Sequence, residues 1–340
     1  GINDIHLDTP FSRNDEAMQN QFVAISQTIP LSNRVKLASD IGKESSKLIE
    51  QKKDILKVDI AFAIRQAFIE AYYAHNSLSI LDEYISFLQQ PLTLITNLSS
   101  VEKNSVERYI KTQLLQESYK LKRENQLQQI SIAKEQIELV GNIKIDSFDT
   151  IVNLRNYTNH SIDELLNIID TQNPRLKILE QSKTIAKRKV SLAKAKEIAD
   201  ITVTTGVYQR FDRDDYVSVS VAYPLFVHNR QSNKKIQALK RVNIQNITYN
   251  QTQIKLQQSL KIALHKLKAI EQELNILNKS KIKIRKLIAN AKSELSISGS
   301  LLHYYELFTQ KTDNLLAINQ KNRQKDNIQN SIMQILGEIE

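Results

Sequence analysis

The chain lacks cysteine and tryptophan and has little glycine or proline. Its 340 residues include 0 Cys, 0 Trp, 6 Gly and 5 Pro. Without cysteine there is no disulfide framework, no thiolate metal site and no cysteine nucleophile. So few turn residues argue against a loop-rich α/β enzyme and favour long uninterrupted elements. No run of about 18 consecutive apolar residues occurs, so the sequence predicts no transmembrane helix.

The residues that are present suit packing between helices. Hydrophobic residues make up 41% of the chain and aromatic residues 6%, so most apolar side chains are Leu, Ile, Val and Ala. The net charge is +10, but Lys and Arg are spread through helical segments, which favours solvated helix faces over nucleic-acid binding. The six histidines show no metal-ligand spacing, so neither a metal site nor a cofactor is predicted.

Two segments with alternating apolar residues face each other across the polar turn 212–215. They contain Ile201, Val203, Thr205 and Val207 on one side, and Val217, Val219, Val221 and Tyr223 on the other. This pattern predicts a β-hairpin, which Pro224 ends because proline cannot donate to a sheet ladder. A lone hairpin is not stable, so we expect other strands to complete it, partly from other copies of the chain.

A similar pair of segments lies near the start of the chain. Residues 2–8 and 21–29 are predicted strands with a polar connection between them. Pro30 ends the second strand as Pro224 ends the later hairpin. Two hairpins, each followed by a proline, are therefore predicted.

Long helical patterns follow the first hairpin. One begins near Asn33 and continues to about Leu88, and Pro91 should kink or interrupt it. A second helix occupies about 105–140, and Gly141 stands where a helix C-terminus favours glycine. These two helices are expected to form a long helical hairpin.

Three further helices are predicted in the second half. Asn173 and Pro174 supply an N-cap and a proline at the first position of a helix that ends near Ile198. A last helix covers 301–336. Between them, the helix 229–297 has the alternating spacing of three and four that is typical of a coiled-coil seam, with Leu256, Leu260, Ala263, Leu267, Ile270, Leu274, Leu277, Ile284, Ile288, Ala291 and Leu295.

The ends of these elements recur at a nearly constant offset. Pro30 and Pro224 lie 194 residues apart, and Gly141 and Gly337 lie 196 apart. One unit of strand, strand, very long helix, tight turn and returning helix therefore occurs twice.

With an offset of 195, Asn104 coincides with Gly299, and both residue types adopt the left-handed conformation of a tight turn. A helix precedes the second unit but not the first, so we expect an amino-terminal helix upstream of Gly1. Two hairpins cannot close a barrel, and the helices expose apolar stripes, so several copies are expected to assemble around an axis.

The predicted organisation divides the chain into six segments. They are a first β-hairpin at 1–32, a first long helical hairpin at 33–141 with its turn near 99–105, a mixed segment at 142–172, a helix at 173–199, a second β-hairpin at 200–227, and a second long helical hairpin at 228–337 with its turn near 296–300.

This order resembles the TolC-type outer membrane factors, the exit ducts of bacterial tripartite efflux pumps and type I secretion. Four segments in the right order carry the resemblance: 25–39 (ISQTIPLSNRVKLAS), 173–210, 216–235 (YVSVSVAYPLFVHNRQSNKK) and 296–320 (SISGSLLHYYELFTQKTDNLLAINQ). The Pro-Leu-Phe-x-x-Asn-Arg passage within 221–230 is similar to the heavy-metal branch of that family, the CzcC and CusC type.

The resemblance implies a mainly α fold with a small β part in two repeats, assembled as a homotrimer. Each subunit would give four strands to one twelve-stranded barrel in outer-membrane lipid, and its coiled-coil helices would form a periplasmic tunnel. A periplasmic adaptor would open the tunnel, and an inner-membrane pump of the resistance-nodulation-division class would supply the energy. The duct would export heavy-metal cations, with drugs as further substrates, and would be no enzyme.

The resemblance also suggests functional positions. The family narrows the periplasmic end with acidic residues, but the matching places hold Tyr305 and Phe308, with Glu306 and Asp313 nearby, so an aromatic constriction is expected. Ordinary seam packing of these aromatic residues is the alternative. The tips expected to contact the adaptor comprise Ser99, Asn104, Ser105, Ser298, Gly299 and Ser300, whose serines would otherwise be helix caps.

In the second hairpin, the resemblance assigns one face to lipid and the other to the lumen. Val217, Val219, Val221 and Tyr223 are expected to meet lipid, and Ser218, Ser220 and Ala222 the lumen. Two other classes of protein remain as alternatives. A soluble coiled-coil scaffold that binds acidic membranes or nucleic acid explains the charge but not the paired hairpins. A periplasmic adaptor has one helical hairpin, whereas this chain has two.

Overall fold

The computed structural model describes residues 1–4, 7–9, 15, 18–90, 92–93, 105–145, 148, 154–158, 160–210, 213–225, 229–295 and 301–339. Six helices and four strands have both ends within these residues, and residues 89–90 and 92–93 are also helical. The helices are α1 (Arg34–Phe87), α2 (Ser105–Gly141), α3 (Ile162–Gln172), α4 (Pro174–Ala195), α5 (Arg230–Leu295) and α6 (Leu301–Leu336); the strands are β1 (Ile2–Asn3), β2 (Asn20–Ile29), β3 (Ile201–Gln209) and β4 (Tyr216–Ala222). The predicted mainly helical fold with a small β part is confirmed.

The four strands form one antiparallel sheet in the order β1-β2-β3-β4. β2 pairs with β3 from Gln21↔Gln209 to Ile29↔Ile201, so strands from the two sequence repeats are direct neighbours. β1 contributes only Ile2↔Gln21 and Asn3↔Asn20. The predicted strand over 2–8 is wrong for Asp4, Leu7 and Asp8, which lie in bends.

The chain divides into two compact units. One comprises Gly1–Gln51 with Lys177–Gln251, and it contains the sheet. The other comprises Lys52–Leu176 with Thr252–Glu340 and is helical. The pairing of early with late segments in both units follows from the internal repeat.

The predicted seam of α5 is confirmed in the helical unit for most of its length, while Leu277, Ile284 and Ile288 are half-buried. Its apolar residues from Leu256 to Leu274, and again Ala291, are buried at alternating spacings of three and four. A sustained seven-residue period keeps such a stripe on one side of the helix and is typical of coiled-coil packing.

The pair α1 and α2 packs through two separate clusters. Small side chains allow close contact at one of them, where Ala67 and Ala71 of α1 meet Ala133 and Ile137 of α2 with Phe148. The second cluster joins Leu81, Tyr84 and Leu88 to Tyr119 of α2.

The ends of the two returning helices, α2 and α6, show the internal repeat in their backbone conformation. Gly337 follows α6 with φ of 83°, and the matching left-handed residue after α2 is Asn142, with φ of 51°, rather than Gly141. Asn142 and Gly337 lie 195 residues apart, so the conformation recurs at the predicted offset while the residue differs.

The start of α4 has the predicted cap. Oδ1 of Asn173 accepts hydrogen bonds from the backbone amides of Arg175 (2.8 Å) and Leu176 (3.2 Å), and Pro174 occupies the first helical position. Of the helices in the described ranges, none combines the length and apolar character needed to cross a membrane.

Candidate functional site

The sheet has two chemically different faces. In an antiparallel sheet, residues directly opposite each other lie on the same face. The pairings therefore place nearly all the large aliphatic residues together, in the set Val23, Ile25, Ile29, Ile201, Val203, Val207, Val217, Val219 and Val221. Most of these side chains are exposed, with Val219 at 68%. A face this apolar and this exposed marks a surface that contacts another protein or lipid.

The opposite face is polar and made of small residues. Ser26 and Thr204 share a hydrogen bond of 2.9 Å between their hydroxyls, and Thr28 and Thr202 share one of 3.1 Å. Gly206 lies between Ala24 and Ser218 in the adjacent strands. This face offers hydroxyl groups to water, in contrast to the aliphatic side.

Aromatic rings line up across one end of the polar face. Phe22, Tyr208 and Tyr216 stack in a row, with centroid distances of 5.1 and 4.8 Å. The Arg210 guanidinium lies 5.1 Å from the centre of the Tyr216 ring, within the range of a cation–π contact. The row extends across three strands, so it pins the strand register at this end of the sheet.

The residues expected to face lipid lie on the aliphatic face. Val217, Val219 and Val221 alternate with Ser218, Ser220 and Ala222 along β4, and Tyr223 follows the strand with 54% of its surface exposed. The structure brings the predicted set together, and whether lipid covers it stays a prediction.

The constriction candidates lie in an aromatic cluster near the start of α6. Phe87 stacks on Phe308 with centroids 3.9 Å apart, and it contacts Tyr304 and Tyr305 at 6.0 and 5.4 Å. Phe308 also packs against the buried cluster around Tyr84. Both Tyr305 and Phe308 are half-buried, so each packs within the chain and still has exposed surface that can contact another molecule.

The two acidic candidates have different surroundings. Asp313 accepts a hydrogen bond of 2.6 Å from the hydroxyl of Tyr119, and Lys122 lies 4.0 Å from the same oxygen. Burial, and then the contact with Asp313, raise the pKa of Tyr119. Glu306 is exposed, with His303 at 3.9 Å. The side chains of Asp313 and Glu306 are 56% and 63% exposed, so both carboxylates remain available for contacts outside the chain.

The predicted adaptor-contact tips lie almost wholly outside the described residues. Ser99, Asn104, Ser298, Gly299 and Ser300 fall in the gaps, and Ser105 is described only as the first residue of α2. Their role stays a prediction. Within the described ranges, no three His, Asp or Glu side chains group as a metal site would require.

Sequence reasoning missed a row of polar residues on α6, here named the polar seam: Thr312, Asn319 and Asn330, which are buried, and Asp326, which is half-buried. Asn319 donates to the carbonyl of Tyr73 (2.7 Å) and to the Ser77 hydroxyl (2.8 Å). Asp326 accepts a bond of 2.6 Å from the Tyr73 hydroxyl. Thr312, Asn319 and Asp326 lie seven residues apart, and this period was the available signal.

Asp326 makes the stability of the polar seam depend on pH. Burial raises the pKa of its carboxyl above the ordinary value, and the hydrogen bond from Tyr73 offsets only part of that rise. When the pKa of a carboxyl is higher in the folded than in the unfolded state, its contribution to stability is complete at pH values below the unfolded-state pKa. That contribution is lost as the pH rises through the folded-state pKa. The polar seam is therefore less stable at neutral pH, where Asp326 is charged, than at mildly acidic pH.

Replacing Asp326 with asparagine is expected to remove this dependence. The variant keeps an acceptor for Tyr73 without a charge to desolvate, so its melting temperature at pH 7 should rise by about 1–3 °C. Thermal unfolding followed by circular dichroism between pH 4 and 8 measures the effect. Asp82→Asn, at an exposed carboxylate paired with Arg123, is the control. An equal response of both variants would contradict the role of burial.

A sheet with one aliphatic and one polar face, combined with long helical hairpins in two repeats, is the fold of TolC-type outer membrane channels. Solved structures of such channels match this chain over nearly all its length. VceC of Vibrio cholerae matches with a TM-score of 0.76 and 12% identity, over 99% of this chain and 85% of that one.

Two other channels give similar values. The MtrE outer membrane channel of Neisseria gonorrhoeae, in its open state, matches with a TM-score of 0.77 and 14% identity, over 94% of this chain and 75% of that one. CusC matches with a TM-score of 0.74 and 14% identity, over 96% of this chain and 81% of that one. The likeness shows the fold and does not separate the heavy-metal branch from the others. Neither a protein-family model nor a curated protein matches the sequence.

Proposed function

We propose that the chain is a subunit of an outer-membrane exit duct, a passive channel in a tripartite efflux system. The observation that supports this most strongly is the exposed aliphatic face of the sheet, on a fold shared with outer membrane channels. An isolated soluble domain would bury such a face. No chemistry is assigned to the chain, since export through a duct needs only a passage.

In this proposal three copies assemble, and their twelve strands close one barrel. Within the described residues β4 pairs only with β3, so its other edge is open to a strand of a neighbouring copy. Closure removes such edges and covers their backbone donors and acceptors. The aliphatic face would then meet lipid, and Ser218, Ser220 and Ala222 would line the lumen.

Exposed apolar residues on the helices support contacts between copies. On α2 these include Leu114, Leu121 and Leu139, at 60%, 65% and 85% exposure. Similar side chains on α5 include Ile254, Ile262 and Ile276. A helix with a buried seam and further apolar residues outside it has surface left for a second partner helix.

The remaining assignments rest on the sequence resemblance. Tyr305 and Phe308, with Glu306 and Asp313, would narrow the periplasmic end, and the tips at 99–105 and 296–300 would contact the adaptor. The pump would belong to the resistance-nodulation-division class. Heavy-metal cations would be the cargo, with drugs as further substrates. The test of that assignment is the sensitivity of a deletion strain to copper, silver, zinc, cadmium, nickel and cobalt, measured beside its sensitivity to common drugs.

A charge on the aliphatic face should prevent membrane assembly, whereas the same charge on the polar face should be tolerated. Val219→Lys is expected to cost about 2 kcal/mol per copy where the strand crosses the lipid. Ser220→Lys is the matched control, one residue away on the opposite face. The measurement is the amount of trimer extracted by detergent from the outer-membrane fraction.

Equal loss, or no loss, in the two variants would contradict the assignment of the faces. Recovery of the unaltered chain as a soluble cytosolic monomer would exclude the duct and favour the scaffold alternative. A detergent-free periplasmic protein would favour the adaptor. Fractionation therefore separates the three classes before any transport is measured.

A further inference from the structure

A cavity in the sheet-bearing unit has a strongly basic lining. Its volume is about 960 Å³, and its walls come from α1, α4 and α5 with the ends of β2 and β3. The cations that line it are Arg34, Lys189, Lys196, Lys234 and Arg241, whereas the only acid is Asp200. Five cations against one acid leave a formal charge of +4. We refer to this cavity as the basic groove.

Four of the cations have no carboxylate partner among the described residues. Arg34 forms an ion pair with Asp200, which cancels the single acid. The acids nearby are held by cations that do not line the groove: Glu197 pairs with Lys235 at 3.3 Å, and Glu44 with Arg188 at 3.0 Å. Clustered cations without counter-charges repel one another, and a bound anion would relieve that repulsion.

Two polar atoms of residues that line the groove also lack hydrogen-bond partners. Nε of Arg34 and Oδ1 of Asp200 are buried and have no hydrogen-bond partner in the described part of the chain. A buried donor without a partner is costly. The guanidinium Nε–H is a donor suited to phosphate oxygens, which accept several hydrogen bonds at once.

The rest of the lining is aliphatic. Leu48, Ile185, Leu192, Ile198 and Ile244 line the groove, together with four alanines. Ile198 and Ile244 are exposed at 51% and 56%. The volume lies within the range of about 300–1,000 Å³ that small-molecule sites occupy. A small inorganic anion would leave this apolar surface in water.

From the cavity, its unpaired cations and its aliphatic wall, we propose that the basic groove binds an amphiphilic phosphate, a phosphate headgroup attached to an apolar body. Lys189, Lys196, Lys234 and Arg241 contact the phosphate, and the aliphatic wall covers the first carbons of the apolar part. Free metal cations are repelled from the groove. Because every residue that forms the site belongs to a single copy of the chain, binding requires neither assembly nor transport and can be tested apart from the duct function.

The test uses the purified full chain in an uncharged maltoside detergent and three probes. Isothermal titration calorimetry follows binding of dihexanoyl phosphatidylglycerol, of dihexanoyl phosphatidylcholine and of inorganic phosphate. The anionic lipid is expected to bind at least about tenfold more tightly than either other probe. Equal binding of the two lipids overturns the role of charge. Equal binding of inorganic phosphate overturns the role of the apolar wall, and absence of binding overturns the site.

A matched pair of variants locates the binding. Lys189→Gln, Lys234→Gln and Arg241→Gln together remove three charges from the groove and are expected to weaken the anionic lipid at least tenfold. The control, Lys187→Gln with Lys194→Gln and Lys240→Gln, removes three exposed charges from the same two helices outside the groove. If the control variant weakens binding of the anionic lipid equally, the lipid is attracted by the overall positive charge and not by the groove, and the proposal is overturned. Circular dichroism verifies that both variants are folded.

Discussion

Replacing Gly337 with alanine is expected to lower the free energy of unfolding by about 2–5 kcal/mol. Its φ of 83° lies in the left-handed region, where a Cβ costs about 1–2 kcal/mol. A Cβ there would also overlap Cδ of Pro174 and lie 3.1 Å from its Cγ. Pro174 is the first residue of α4, so the ring cannot move without displacing the helix.

The backbone around Gly337 cannot easily relax to another conformation. The amide of Gly337 donates to the carbonyl of Gln334 (3.2 Å), and the amide of Glu338 donates to that of Met333 (2.9 Å). This pair of bonds is the Schellman motif, which satisfies helix-terminal carbonyls only when the intervening residue is left-handed. Leaving that region would lose both bonds.

Gly141→Ala is the control for this prediction. Gly141 is the last residue of α2 and has no positive φ, and a Cβ there would lie 3.1 Å from Cδ1 of Ile64, the far end of a flexible side chain. We expect a change below about 1 kcal/mol. Urea unfolding of both variants in the same detergent provides the comparison, and similar losses at the two glycines would refute the argument from φ and overlap.

Replacing Asn173 with alanine is expected to cost about 3–4 kcal/mol. Its side chain is buried and serves two helices. Oδ1 caps α4 through the amides of Arg175 and Leu176, and Nδ2 donates to the carbonyl of Ile335 near the end of α6, at 2.7 Å. Alanine would remove the cap and leave the Ile335 carbonyl without this donor.

Asn173→Ser separates the two contributions. A serine hydroxyl still caps α4 without adding a buried charge, but the side chain is one atom too short to cap and to donate to Ile335 at once. About half of the loss should therefore remain. Thermal and urea unfolding of the two variants measure this difference. A fully stable Ser variant would show that the bond to Ile335 contributes nothing, and an equal loss in the Ser and Ala variants would show that the cap does not matter.

Elements whose cause is local could be predicted from the sequence. The N-cap of α4 follows from Asn173 and Pro174, because a capping side chain acts on amides two and three residues away. The seam of α5 follows from regular spacing of aliphatic residues over many turns. The two faces of β4 follow from its alternation of valine with serine or alanine.

Features that depend on distant residues could not be predicted. Nothing near β2 specifies β3 as its partner, because the two strands are separated by more than 170 residues in the chain. The polar seam escaped notice because its members do not belong to an apolar stripe, although Asn319 is 91% buried (9% exposed). The basic groove depends on which acids are already paired, and only the fold determines that.

Asn142 and Gly337 each follow a returning helix and have left-handed backbone conformations. This has a consequence for the history of the chain. If the halves arose by duplication, selection retained a backbone conformation at this position while the amino acid changed between the two kinds that tolerate it. Divergence of this type erodes sequence identity faster than shape. Relatives of this chain should therefore be sought by the positions of conformational constraint, spaced 195 residues apart, rather than by shared residues.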